Sequence, residues 1–240
     1  MDPLTQAVKD FSKNITLVLA YSVGTGFVVL LYRLANEYLH TYFAGESSPW
    51  LSMASLALSL YLAVAAAAIQ TVAFSFIAVR LDYPLWKCTG FQEAIRRFFM
   101  AWFTLNLLLV LFTSLLVSMA EREWVDAMAW AEFCTFFLFV LTIPLGACIM
   151  FWGEFDSTQL GEIFKPLYKR FSWTLWVLSL GFLQWILMMA RGDMLEEKGL
   201  EAIFALSITD IPLSCIDCLI FIMMWRICME LRNRGFEEEE

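Results

Sequence analysis

The chain has 240 residues, 60% of them hydrophobic, and a formal net charge of −8. Soluble domains hold roughly 45–50% apolar residues, so this composition excludes an ordinary soluble fold. The acidic balance gives nucleic-acid binding no support, and part of it comes from the run Glu237 to Glu240, which is expected to be a solvated tail.

Charged residues fall between apolar runs, the pattern of a polytopic membrane protein. Six runs reach the roughly 20 residues that cross a bilayer: 15–34, 51–79, 98–119, 124–152, 171–190 and 210–229. The first is too long for a signal-peptide core and is expected to be an uncleaved span. The loops are short. The expected organisation is one six-helix transmembrane domain over residues 1–236, followed by the acidic tail 237–240. The expected fold class is an all-α integral membrane protein. Its six transmembrane helices are joined by three short amphipathic interfacial helices on the cytoplasmic side, a candidate threefold helix-pair repeat.

The first amphipathic segment places Leu4, Ala7, Val8, Phe11 and Ile15 at helical spacing, with Asp2 at the cap position and Lys9 on the polar face. In the span that follows, Ser22 and Gly26 form a small-xxx-small pair that admits a neighbouring backbone. The second span carries Ala63 and Ala65 to Ala68, a smooth face of the same kind. Residues 89–102 repeat the amphipathic pattern. Phe91, Ala94, Ile95, Phe98 and Trp102 form the apolar face, Gln92, Glu93, Arg96 and Arg97 the polar one, and Thr89 is the expected N-cap. The third copy has Leu160, Ile163, Phe164, Leu167 and Phe171, with Thr158 at the cap, Lys165 in the basic slot and a bend expected at Pro166. Lys9, Arg96, Arg97, Lys165 and Lys169 together form an expected basic collar toward anionic headgroups.

Pro144 and Gly146 are expected to bend the fourth span. Trp50, Trp124, Trp152, Trp173 and Trp225 lie near run ends, where aromatic belts form. Residues 194–208 read as an interfacial piece or an extension of a neighbouring helix. Thr209-Asp210-Ile211-Pro212 then reads as a helix start with Asp210 as a surface cap.

Of the sixteen Lys and Arg residues, twelve fall on the side that holds both termini. The positive-inside rule makes that side cytoplasmic. The expected location is the bacterial inner (plasma) membrane.

Asp217 lies nine residues before Arg226, about 13 Å along a helix and therefore near the bilayer midplane. A carboxyl at that depth is a functional-site candidate. Ser214 and Asp210 share its face, and Gln70 is at a depth to hydrogen-bond it. Asn106 and Gln184 are the other intramembrane amides considered. Two readings follow for Asp217: an interhelical hydrogen bond that orients the bundle, or a proton or cation site.

Cys215 and Cys218 form a C-x-x-C around Asp217. That spacing resembles the pair used by membrane thiol oxidoreductases that pass electrons to a quinone, although the expected outer loops hold no second cysteine pair. His40 is the sole histidine and is placed in an outer loop, so no His-based metal site is expected, and no cofactor. H-E-x-x-H, G-x-S-x-G and P-loop patterns do not occur. The leading expectation is a non-enzymatic membrane protein acting in membrane organisation or as a partner or assembly factor. Its expected partners are membrane lipids with anionic headgroups, and a membrane protein or a second copy of the chain. The alternatives are a small transporter or permease with a protonatable Asp217, and a thiol oxidoreductase using Cys215 and Cys218.

Overall fold

A computed structural model describes residues 3–43, 49–82, 88, 90–121, 125–153, 160–191 and 200–237. Eight helices run in the order α1 (Pro3–Lys13), α2 (Ile15–Tyr42), α3 (Pro49–Asp82), α4 (Phe91–Glu121), α5 (Val125–Trp152), α6 (Leu160–Lys169), α7 (Phe171–Ala190) and α8 (Leu200–Glu237). No strand occurs among the described residues. Six of the helices, α2, α3, α4, α5, α7 and α8, are long and apolar enough to cross a membrane. Their outer faces expose Phe27, Leu56, Leu111, Phe133 and Leu183. A surface this apolar suits lipid rather than water.

The short segments differ in how they join the long ones. Helices α1 and α2 are separated at Asn14 (φ −102°, ψ 13°), and α6 and α7 at Arg170 (φ −121°, ψ 51°). The Asn14 break stays bonded, because the Asn14 side-chain amide donates to the Asp10 carbonyl at 2.9 Å. The central segment has no break and runs straight into α4. Pro166 lies within α6, and the helix breaks four residues later at Arg170. The three cap positions, Asp2, Thr89 and Thr158, lie outside the described residues.

Two helices overrun their expected ends. Helix α2 continues to Tyr42, which takes His40 out of the expected loop and into the helix. Helix α8 begins at Leu200 and carries Pro212 in its interior, so Asp210 is a mid-helix residue and not a cap. The reason is tertiary. Proline at 212 removes one backbone bond, but Asp210 is buried and ion-paired to two neighbouring helices, which hold the segment in register.

Helix α8 is the centre of the bundle, packing against α1, α2, α3, α5, α6 and α7. From Ile220 to Trp225 every residue is buried, so this stretch has no lipid-facing side. The aromatic core is built around it. Phe221 stacks on Phe74 of α3 at 4.3 Å with the rings nearly parallel, and Phe74 also meets Tyr21 of α2 at 5.0 Å and Trp102 of α4 at 5.1 Å. Trp225 packs on Phe221 and on Phe151 of α5.

Trp225 is therefore a core residue with 0% exposure and not a belt residue. Its ring has a deep aromatic partner on either side, which outweighs an interfacial position. Trp50 is exposed, Trp152 and Trp173 are partly buried, and Trp124 lies outside the described residues.

Gly146 of α5 faces the ring of Trp102, and a Cβ there would sit 2.2–2.6 Å from the indole. The glycine thus makes room for a ring, a role separate from the bend expected of it. The Trp102 indole N–H donates to the Met150 sulfur at 3.1 Å. At Gly26, between α2 and α8, a Cβ would make only ordinary contact, 3.4 Å from Ile211 Cγ1 and 3.5 Å from the Ser207 carbonyl oxygen.

Candidate functional site

The inward faces of four helices are set by three- and four-residue spacing, and each carries a polar group among its apolar ones. On α7 the buried residues are Thr174, Val177, Gly181 and Gln184. On α4 they include Phe98, Trp102 and Asn106, and on α3 Ala63, Ala67, Gln70 and Phe74. On α2 Val18 and Tyr21 lead to Ser22. The α2, α3 and α7 faces meet α8, while the α4 face meets α3.

Asp217 accepts two hydrogen bonds from outside its own helix. Gln184 Nε2 donates to Oδ1 at 2.7 Å and the Tyr21 hydroxyl donates to Oδ2 at 3.0 Å. Gln184 Nε2 also donates to the Leu213 carbonyl at 3.0 Å. On the far side of Tyr21, Gln70 lies close enough to bond its hydroxyl. Gln70 Oε1 in turn accepts from Asn106 Nδ2 at 2.6 Å, and the same amide donates to the Trp102 carbonyl at 2.7 Å. Two hydrogen-bonded sets result, Gln184–Asp217–Tyr21 and Gln70–Asn106, which come near each other where Gln70 approaches Tyr21.

The structure thus brings Asp217 and Gln184 into direct contact and links Gln70 with Asn106. Gln70 meets Asp217 only through Tyr21. Depth along a helix, which suggested the Gln70–Asp217 pair, says nothing of which way a side chain faces around it. Ser214 donates to the Asp210 carbonyl at 2.9 Å, one turn back on its own helix, and makes no bond to Asp217. Tyr21 was missed. Its hydroxyl inside an apolar run is the available signal, because a buried phenol finds a partner.

Charge is concentrated at the two ends of α8. At the end that carries both α1 and the last turns of α8, Arg226 grips Asp10 of α1 with Nε at 2.8 Å and Nη2 at 2.7 Å. Arg232 makes a two-pronged pair with Asp82 of α3 at 2.6 and 2.8 Å and lies over the Phe151 ring. Arg170, at the α6–α7 break, pairs with Glu230. At the opposite end, Asp210 receives Arg33 of α2 at 2.7 Å and Arg191, which closes α7, at 2.5 Å.

The collar residues divide. Lys9, Arg96 and Lys169 are exposed. Arg97 pairs with Glu93 at 3.3 Å and lies over the Phe98 ring. An exposed i,i+4 pair of this kind is worth only a few tenths of a kcal/mol. Lys165 is partly buried and engaged with a neighbour.

All six cysteines are free thiols. Cys218 is fully buried, while Cys215 Sγ lies 3.3 Å from Ser22 Oγ. Cys148 of α5 and Cys228 of α8 face each other at 4.0 Å. Outside the spans, burial pushes the Cys88 thiol up from its ordinary value. No group of three or more His, Cys, Asp or Glu side chains placed to hold a metal occurs among the described residues.

No family profile matches the chain, and neither does any curated protein or any solved structure.

Proposed function

We propose that this chain is a non-enzymatic multi-pass membrane protein that organises the membrane around it or holds a membrane-protein partner. In this reading it sits in a bacterial inner membrane with both termini cytoplasmic. The observation that carries the reading is that Asp217 and the amides near it are paired within the bundle. Asp217 has its bonds from Gln184 and Tyr21, Gln184 also bonds the Leu213 carbonyl, and Asn106 bonds Gln70 and the Trp102 carbonyl. A satisfied network of this kind orients helices and fixes one packing. The exposed cations Lys9, Arg96 and Lys169 lie on the surface of the end that holds α1, where anionic headgroups or an acidic partner meet them. In the same reading α1, the start of α4, and α6 lie in the interface as three related segments. Two of the three are set off from their spans at Asn14 and Arg170.

A second reading, proton- or cation-coupled transport, is favoured by one observation. A carboxyl and a phenol, Asp217 and Tyr21, touch at mid-span depth, and both are proton-carrying groups. Proteoliposomes holding a pH-sensitive dye on one side and a potassium gradient separate the two readings. The organising role predicts no dye response above that of empty liposomes. A response that disappears in Asp217→Asn, with the variant still folded, establishes transport instead. The thiol-oxidoreductase reading rests on Cys215 and Cys218 alone.

A further inference from the structure

At the Asp210 end of the bundle, two guanidinium groups meet one carboxylate. Arg33 and Arg191 bind opposite oxygens of Asp210, leaving one unit of positive charge in excess. Each arginine uses the same nitrogen twice: Arg33 Nη1 also donates to Ser207 Oγ at 3.2 Å, and Arg191 Nη1 to Thr209 Oγ1 at 3.0 Å. The other two nitrogens of the Arg191 guanidinium have no partner among the described residues. Arg33 neutralises Asp210 from the α2 side, so the trio carries two positive charges against one negative, and the Arg191 side chain keeps 15% of its surface exposed.

Arg191 also lines a groove of about 300 Å³ between α7 and α8. Its walls are Leu187 and Ala190 on one helix and Leu213 and Ile216 on the other. Arg191 and Thr209 mark its shallow end. From Thr209 to Ile216 it follows α8 for about 10 Å toward the middle of the span. A cation at the mouth with an apolar trough running inward from it has the polarity of a phospholipid: phosphate at the surface, acyl chain below. We propose that this groove binds one anionic phospholipid of the leaflet at the Asp210 end, its phosphate on Arg191 and one acyl chain between Leu187 and Ile216. A neutral lipid fills the trough equally well but gains nothing net from the excess charge, so the site selects by headgroup.

Native mass spectrometry of the full chain in mild detergent tests this. Phosphatidylglycerol and phosphatidylcholine of identical acyl chains are added at matched low concentration. Wild type is expected to retain phosphatidylglycerol about fivefold over phosphatidylcholine, the value of one arginine near a headgroup. Arg191→Gln should bring the two to near parity. Because that change also loosens Asp210, Ala190→Trp serves as a second variant. It fills the trough, leaves the ion cluster intact and should reduce retention of both lipids. Arg96→Gln, at the opposite end, should leave the preference as it was. Parity in wild type overturns the proposal, and so does a preference that survives both Arg191→Gln and Ala190→Trp. A preference that emerges only when Asp193, Glu196 and Glu197 are neutralised would also overturn it, since the chain's own acidic linker would then be the occupant.

Discussion

The ring of Trp102 occupies the space that a Cβ on Gly146 would need, with its nearest atom 2.2 Å from that position. The ring is fully buried and touches Phe74, so it cannot swing aside without disturbing the aromatic stack on α8. Gly146→Ala is therefore expected to lower stability by about 1–3 kcal/mol, the range for overpacking, despite the gain in helix propensity. Thermal unfolding in detergent reads this. A variant as stable as wild type would show that α4 and α5 separate freely.

Asp82 and Arg232 join α3 to the last turns of α8 through two hydrogen bonds. Asp82 is buried while Arg232 keeps a partly exposed head. Removing the carboxylate leaves the guanidinium without its counter-charge, a loss of roughly 2–3 kcal/mol after allowing for that exposure. A double-mutant cycle of Asp82→Asn with Arg232→Gln should show a coupling of about 2 kcal/mol in the same unfolding assay. Additive losses would mean that the pair contributes nothing beyond its separate contacts.

At the Asp217 crossing, Asn preserves shape and most hydrogen-bonding capacity, whereas Leu removes both bonds. Asp217→Leu and Gln184→Leu are each expected to destabilise by roughly 1 kcal/mol, the scale of an interhelical bond within a membrane, and Asp217→Asn by less. Combining the two Leu changes should add little to either alone, because they sever the same link. Full additivity would place the value of Asp217 in its bond to Tyr21.

The orientation proposed above has its own test in a background with the six native cysteines replaced. A cysteine introduced by Ser47→Cys should react with an impermeant thiol reagent added outside intact cells, and one introduced by Asn233→Cys should not. The reverse pattern would invert the molecule.

Cys88 lies beyond the spans, and burial raises its pKa above the ordinary thiol value. Less thiolate is then present at neutral pH than an unperturbed thiol would show, and the thiolate is the reactive species. Alkylation of Cys88 should be slow near pH 7 and should continue to accelerate as pH passes the usual thiol range. A rate that levels off early would mean the thiol is not shielded.

Much of this bundle was legible in the residues. A 20-residue apolar run has few alternatives to a spanning helix, so the number of spans follows from composition. The position of α8 does not. A helix surrounded by other helices and one surrounded by lipid are both apolar on every side, and periodicity cannot separate them. Trp225 illustrates this: beside Arg226 it looks interfacial, but the arginine is turned to Asp10 and the indole lies in the core. Charges misled at the far end for a related reason. Arg33 and Asp210 mark run boundaries in the sequence, whereas in the structure they neutralise each other inside longer helices. Of the intramembrane candidates, Asp217 and Gln184 could be singled out by type, and the Tyr21 hydroxyl could have been, but that these three meet had to be seen in three dimensions.

The central place of α8 has a consequence in time. The ribosome releases α8 after the five spans that precede it, so those spans are made before the helix that four of them pack against. Asp10 and Arg226 are 216 residues apart, which at roughly 5–20 residues per second separates their synthesis by about 10 to 40 s. Through that interval the Asp10 and Asp82 carboxylates lack the arginines that later bind them, and the Phe74 and Trp102 rings lack Phe221. The early spans have one another, α2 with α3, α3 with α4 and α4 with α5, and the arrival of α8 supplies the partners that these carboxylates and rings still lack.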